Sequence, residues 1–128
     1  MPPSPSKPKS NARIAAHSAG QRAEMLAALL LRLKLYRIVA RRFKTPVGEI
    51  DLIAQRFGVT VFVEVKARQR SDAEGEALLA VNRSRIVRAA QYWLARHSGL
   101  AETPFRFDVI FLAPRRWPRH VINAFDAS

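Results

Sequence analysis

Cysteine is absent from this chain, which removes disulfide scaffolds, thiol catalysis and cysteine-based metal sites. Acid is scarce: ten Asp and Glu stand against seventeen Arg and five Lys, a net charge of +12. Folding does not need that excess, which opposes compactness and points to a polyanionic partner. Long apolar runs are missing too. The longest, Met25 to Leu31, lies between Glu24 and Arg32 and falls well short of the roughly 20 residues a membrane span needs, so no membrane partner is expected. Residues Met1 to Ser10 hold four of the eight prolines together with Lys7 and Lys9, and no apolar stretch follows directly. They read as a disordered basic tail over residues 1–13, not as a secretory signal. What remains is one cytoplasmic, anion-binding domain over residues 14–128, with 48% hydrophobic residues to build a core.

The chain turns helical from about Asn11. Ser18 is a candidate N-cap, and Ala23, Ala27, Leu30 and Leu31 recur at helical spacing up to about Leu35. Tyr36 to Phe43 reads as a basic strand, ended by a turn at Pro46 and Gly48. Glu49 to Gln55 and Thr60 to Arg68 read as two more strands, joined around Gly58 as an antiparallel hairpin. A loop at Asp72 to Gly75, a helix from Leu78 to Arg96, and strands at Phe105 to Leu112 and His120 to Phe125 complete an α/β pattern. The expected architecture is a mixed β-sheet of about five strands flanked by helices.

The hairpin carries the chemistry. With its turn centred on Phe57 and Gly58, Leu52 faces Val63 and Ile50 faces Val65 on one apolar side. Asp51 then faces Glu64, and Glu49 faces Lys66, on the other. Directly opposed residues have Cβ atoms roughly 4.5–5.5 Å apart, and like charges there repel. Something positive must sit between Asp51 and Glu64. Lys66 is one candidate; a hard divalent cation, Mg²⁺ or Mn²⁺, is the better one. A metal held there can activate water and stabilise a phosphoryl oxygen. The plainer reading is a solvated face with a Glu49–Lys66 pair.

Gly48-Glu-Ile-Asp-Leu-Ile-Ala54 followed by Val61-Phe-Val-Glu-Val-Lys66 resembles the YraN-like family of bacterial proteins, itself similar to archaeal Holliday-junction resolvases of the restriction-endonuclease-like superfamily. The resemblance runs from about Gly20. It takes in Glu24, Ala27, Gly75, Arg106-Phe-Asp108 and Asn123-Ala-Phe125. It implies a restriction-endonuclease-like fold and a metal-dependent nuclease, with Asp51 and Glu64 as metal ligands, Lys66 as the catalytic lysine and Glu24 as a further acidic member. Two positions depart from the pattern. Ala23 stands where the family often has Gly, and Ile50 replaces the superfamily's proline. Neither is a ligand.

Outside the resemblance, Glu24 reads first as a helix-surface charge paired with a nearby Arg. Asp108, beside Arg106, reads as a structural ion-pair partner, and Trp93 as core. His17, His97 and His120 share no metal-ligand spacing and are placed on the surface. Arg41, Arg42, Arg68, Arg115, Arg116 and Arg119 are the candidate phosphate contacts, the last three around Trp117 in a basic turn. Two functions from different classes follow. The first is a Mg²⁺- or Mn²⁺-dependent endonuclease, on DNA in preference to RNA, with branched and linear substrates both open; a junction cutter would need two sites and so a homodimer. The second is a non-catalytic nucleic-acid-binding protein that retains the nuclease-like fold. The full set of Glu24, Asp51, Glu64 and Lys66 favours the first, because a pure binder gains nothing from carboxylates facing phosphates.

Overall fold

The computed structural model describes residues 7–97, 99 and 102–127, with side chains from Ala19 onward. Five strands form one mixed sheet in chain order: β1 (Arg37–Thr45), β2 (Gly48–Arg56), β3 (Val59–Ala67), β4 (Phe105–Leu112) and β5 (Arg119–Phe125). Neighbours are antiparallel except β3 and β4, which run parallel. A parallel pair needs a crossover connection, which α2 (Glu74–Leu79) and α3 (Arg83–Arg96) supply; α1 (Lys7–Leu33) precedes the sheet. This is the α/β architecture expected from the pattern of elements.

Each face of the sheet has its own apolar layer. On one, Ile50, Ile53, Phe62, Phe107 and Val109 pack against Ile86, Ala89, Ala90 and Trp93 of α3. On the other, Leu52, Ala54, Val61, Val63 and Ile110 pack against Ala23, Ala27, Ala28 and Leu31 of α1. Covering on both sides explains why β3 reads Val61-Phe-Val63 without a polar break. The alanines of α1 bring that helix close to the sheet, and the run from Met25 to Leu31 divides accordingly. Its Met25, Leu26 and Leu29 stay exposed, as does Leu33 further along.

Four local expectations need correction. Ser18 is interior to α1, not its cap. The good helix formers Ala12, Ala15, Ala16 and Ala19 carry the helix through, and Pro8 sits in the first turn, where a missing N–H is harmless. Of the expected tail, residues 1–6 lie outside the described residues and 7–13 belong to this helix. The segment read as a loop from Asp72 to Gly75 is a 3₁₀ turn (Ser71–Ala73) leading into α2. The single helix expected from Leu78 to Arg96 is broken, because Asn82 accepts the Arg85 N–H with its side chain at 3.3 Å and starts α3 afresh.

Gly48, at the head of β2, lies against the first turn of α3: a Cβ there would overlap the Arg85 carbonyl oxygen and carbon. Backbone cannot swing aside as a side chain can. Gly48→Ala is therefore expected to lower stability by about 1–3 kcal/mol, as overpacking does, read as a lower urea midpoint with unchanged slope. An unchanged midpoint would mean that α3 yields freely.

Candidate active site

The β2–β3 ladder runs from Leu52↔Val63 to Arg56↔Val59, the register set by the hydrophobic pattern, and stops there. The pairings expected beyond it, Asp51 with Glu64, Ile50 with Val65 and Glu49 with Lys66, are not part of the ladder. Instead the Asp51 carboxylate accepts the Val65 N–H at 2.8 Å, taking the place of a β2 carbonyl. Nor do Ile50 and Leu52 share a side. Residues two apart on a regular strand face the same way, yet Ile50 packs in the α3 layer and Leu52 in the α1 layer. The neighbouring strand shows why. Arg41 pairs with Leu52 and Phe43 with Ile50, which leaves Arg42 opposite Asp51 with a left-handed backbone, φ 48°. Alternation breaks at this point, the strands fork, and the acids stand in the fork.

Electrostatics mark the same spot. Burial, then the charge of Asp51 beside it, push the Glu64 carboxyl from 4.5 up to about 8; Lys66 opposes the shift and Glu49 adds to it. The Lys66 ammonium is 3.8 Å from Glu64. Asp51, Glu64 and Lys66, chosen from sequence, are thus gathered by the fold.

Glu24 reaches this region from α1. Two hollows of about 310 and 500 Å³ share Gly20, Glu24 and Asp51; the smaller adds Arg42, Lys44 and Glu49, the larger Glu64, Arg68 and Gln69. The Glu24 carboxylate itself accepts from Arg42 Nε at 2.6 Å, the ion pair that the plainer reading anticipated. Lys44 was missed by sequence reasoning, although the strand spacing Arg42-x-Lys44 was there to signal it.

The other basic candidates divide. Arg68 lines the larger hollow, while Arg41 flanks α1, lining one hollow with Arg22, Met25, Leu26 and Leu29 and another with Glu24 and Arg42. Arg116 donates to the Ser71 carbonyl at 3.1 Å and Arg119 pairs with Glu74 at 2.7 Å. Arg115 is exposed with φ 61°.

His97 is on the surface, as expected, stacked on Trp93; the His17 side chain lies outside the described residues. His120 is not on the surface: its side chain is only 2% exposed. It bonds Asp108 at 2.7 Å through Nε2 and Lys34 at 2.9 Å through Nδ1. An ammonium can only donate, so Nδ1 accepts and Nε2 carries the proton given to Asp108. The Asp108 carboxylate also accepts from Arg106 at 2.9 Å and from the Asn123 N–H at 2.9 Å. Burial alone would raise Asp108, but these hydrogen bonds from His120, Arg106 and Asn123 hold its carboxyl below the usual range. The Arg106-Phe-Asp108 and Asn123-Ala-Phe125 motifs therefore lock to one another, helped by Phe107 stacked on Phe125. Asp108 is structural, as the sequence suggested.

Among the described residues no three carboxylate or imidazole groups are gathered to hold a metal ion as they stand. The donor chemistry nonetheless fits one. Asp51 and Glu64 offer hard carboxylate oxygens at a single place, both lining the larger hollow.

A family model described as "Uncharacterised protein family UPF0102" matches residues 23–112, a stretch that contains Glu24, Asp51, Glu64 and Lys66. A UPF0102 protein of Parvibaculum lavamentivorans is 54% identical over 112 residues, covering 88% of this chain and 84% of the relative. One from Bradyrhizobium sp. (strain ORS 278) is 52% identical over 126 residues, covering 98% and 89%. One from Methylorubrum extorquens is 54% identical over 114 residues, covering 89% of each.

Proposed function

Since the chain belongs to the uncharacterised protein family UPF0102, the YraN-like family whose motifs resemble junction resolvases, we propose that it is a divalent-metal-dependent endonuclease hydrolysing phosphodiester bonds in DNA, branched DNA included. The observation that carries this reading is the fork: Asp51 and Glu64 line one hollow with Arg68, Asp51 also lines the adjoining hollow with Lys44, and the Lys66 ammonium stands 3.8 Å from Glu64.

Asp51 and Glu64 would hold Mg²⁺ or Mn²⁺. When bound, such an ion lowers the pKa of its water and stabilises charge on a phosphoryl oxygen. Lys66 presents its ammonium beside Glu64, where it orients the attacking water or neutralises charge that develops as the bond breaks. Lys44 and Arg68 hold the flanking phosphates. Glu24 joins the acidic set once Arg42 is drawn from it to a phosphate. Among the described residues no helix is long and apolar enough to cross a membrane, and a cytoplasmic setting accords with DNA as substrate.

The test is a cleavage panel of four-way junction, flap, duplex and single strand with Mg²⁺ or Mn²⁺, and Asp51→Asn as control. Metal-dependent cutting by wild type alone supports the proposal. Binding to the panel with no cutting under any metal supports the non-catalytic alternative.

Binding itself is expected to depend steeply on salt and little on sequence. A net charge of +12 neutralises several phosphates at once, and log affinity on duplex DNA should fall with log salt at about −0.9 per phosphate neutralised. A flat salt response, or tight binding to one linear sequence only, would count against it.

A further inference from the structure

The chain has two tryptophans with opposite fates. Trp93 is buried under the sheet, while Trp117 is 92% exposed in the loop between β4 and β5. An indole left in water is uncommon, because it is among the largest apolar surfaces a side chain can hide. The loop around it is braced on both sides: Arg116 donates to the Ser71 carbonyl at 3.1 Å, and Arg119 pairs with Glu74 at 2.7 Å. Arg115 completes the turn at φ 61°, a backbone region where a non-glycine residue is held at a cost. One hydrogen bond, one ion pair and one strained residue thus hold a loop whose most apolar member touches water.

Its position relates it to the fork. β3 and β4 run parallel, with Lys66 beside Phe111 and Ala67 beside Leu112, so the loop leaves the sheet at the end that carries Lys66. Ser71 and Glu74, which brace it, lie two and five residues past Gln69, which lines the larger hollow with Arg68. Trp117 is five residues past Leu112 and therefore within about 18 Å of that strand end, given roughly 3.6 Å of reach per residue.

We propose that Trp117 is a stacking platform for an unpaired base, with Arg115 holding the adjoining phosphate. This rests on the nuclease reading and narrows its substrate class: nucleic acid with unpaired bases next to duplex, such as a flap, fork or open junction, ahead of uninterrupted duplex. Inside a duplex both faces of every base are already covered. An unpaired base offers a face of any sequence, and an aromatic side chain flanked by arginine suits it without a base-reading motif.

Because Trp93 is buried, tryptophan emission separates the two residues. The experiment uses the wild-type chain in EDTA, so that nothing is cut, titrated with a single strand, a fork and a duplex of matched sequence. Single strand and fork are expected to quench the exposed tryptophan; duplex is not. Trp117→Phe should lose the quenched signal and keep the affinity. Trp117→Ala should bind single strand and fork roughly 5- to 100-fold more weakly, the usual worth of one stacked base, with duplex affinity within about twofold of wild type. Equal weakening on all three probes, or binding without quenching, overturns this inference and leaves the nuclease reading standing. Failure to bind any probe overturns both. Vesicles of phosphatidylglycerol form the last arm: a blue shift there, with no response to oligonucleotides, would make Trp117 a membrane contact instead.

Discussion

Asp51→Asn is expected to lose all measurable cleavage while the metal-free protein melts at the wild-type temperature or slightly above it. The amide is nearly isosteric, and its oxygen can still accept the Val65 N–H that Asp51 takes at 2.8 Å. What it removes is one hard ligand and the charge that helps to keep Glu64 protonated. Burial and Asp51 hold Glu64 protonated up to about pH 8 in the native state, against 4.5 for a free side chain. Between those values the native state binds more protons than the unfolded one. This group's contribution is therefore complete below about pH 4.5 and is lost as pH rises through about 8. Asp51→Asn should make that decline shallower. In wild type, Mn²⁺ bound to the native state should raise stability by about 2.7 kcal/mol at a hundred times its dissociation constant. The variant should forfeit most of this gain. Melting curves from pH 5 to 9, in EDTA and in excess Mn²⁺, check all three expectations. A destabilised metal-free variant with an unchanged response to Mn²⁺ would mean that Asp51 serves structure only.

Lys66→Ala is expected to slow single-turnover cleavage by about 10²–10³, the usual effect of removing one electrostatic contact to developing charge. Binding in EDTA should change far less, because Lys44, Arg68 and the rest of the basic surface remain. A second effect separates this from a general loss of charge. Lys66 is the neighbour that pulls the Glu64 pKa down, so without it Glu64 ionises at still higher pH and the activity profile should move upward. Raising the pH recovers the share of the loss due to metal binding and leaves the share due to the missing ammonium. Wild-type rates in the variant would reduce Lys66 to a surface charge.

The legible half of the site is the half written in alternation. From Leu52 to Arg56 and from Val59 to Val63 the apolar pattern admits one register, and the chain adopts it. Beyond Leu52 the outcome depends on the backbone of Arg42. An arginine in the left-handed region carries no mark in the sequence of the kind that Gly or Asn would, so the fork and the opposite packing of Ile50 could not be foreseen. His120 escaped for a different reason. Its partner Lys34 is 86 residues away, and only the joining of α1's end to β5 across the sheet makes that histidine an interior one. Glu24 was legible in both its readings. The ion pair with Arg42 is the one this structure displays, while the acidic role belongs to the proposal.

The fork also sets what a lineage of such proteins can shed. Folding is specified by the paired part of the hairpin and by two apolar layers, none of which includes Glu64 or Lys66. The architecture asks of Asp51 an acceptor oxygen for the Val65 N–H and a side-chain hydrogen bond with Glu64, both of which an amide can supply. On the proposed function, a descendant that acquired Asp51→Asn would keep its shape and its basic surface, and that single step would turn a cutter into a clamp.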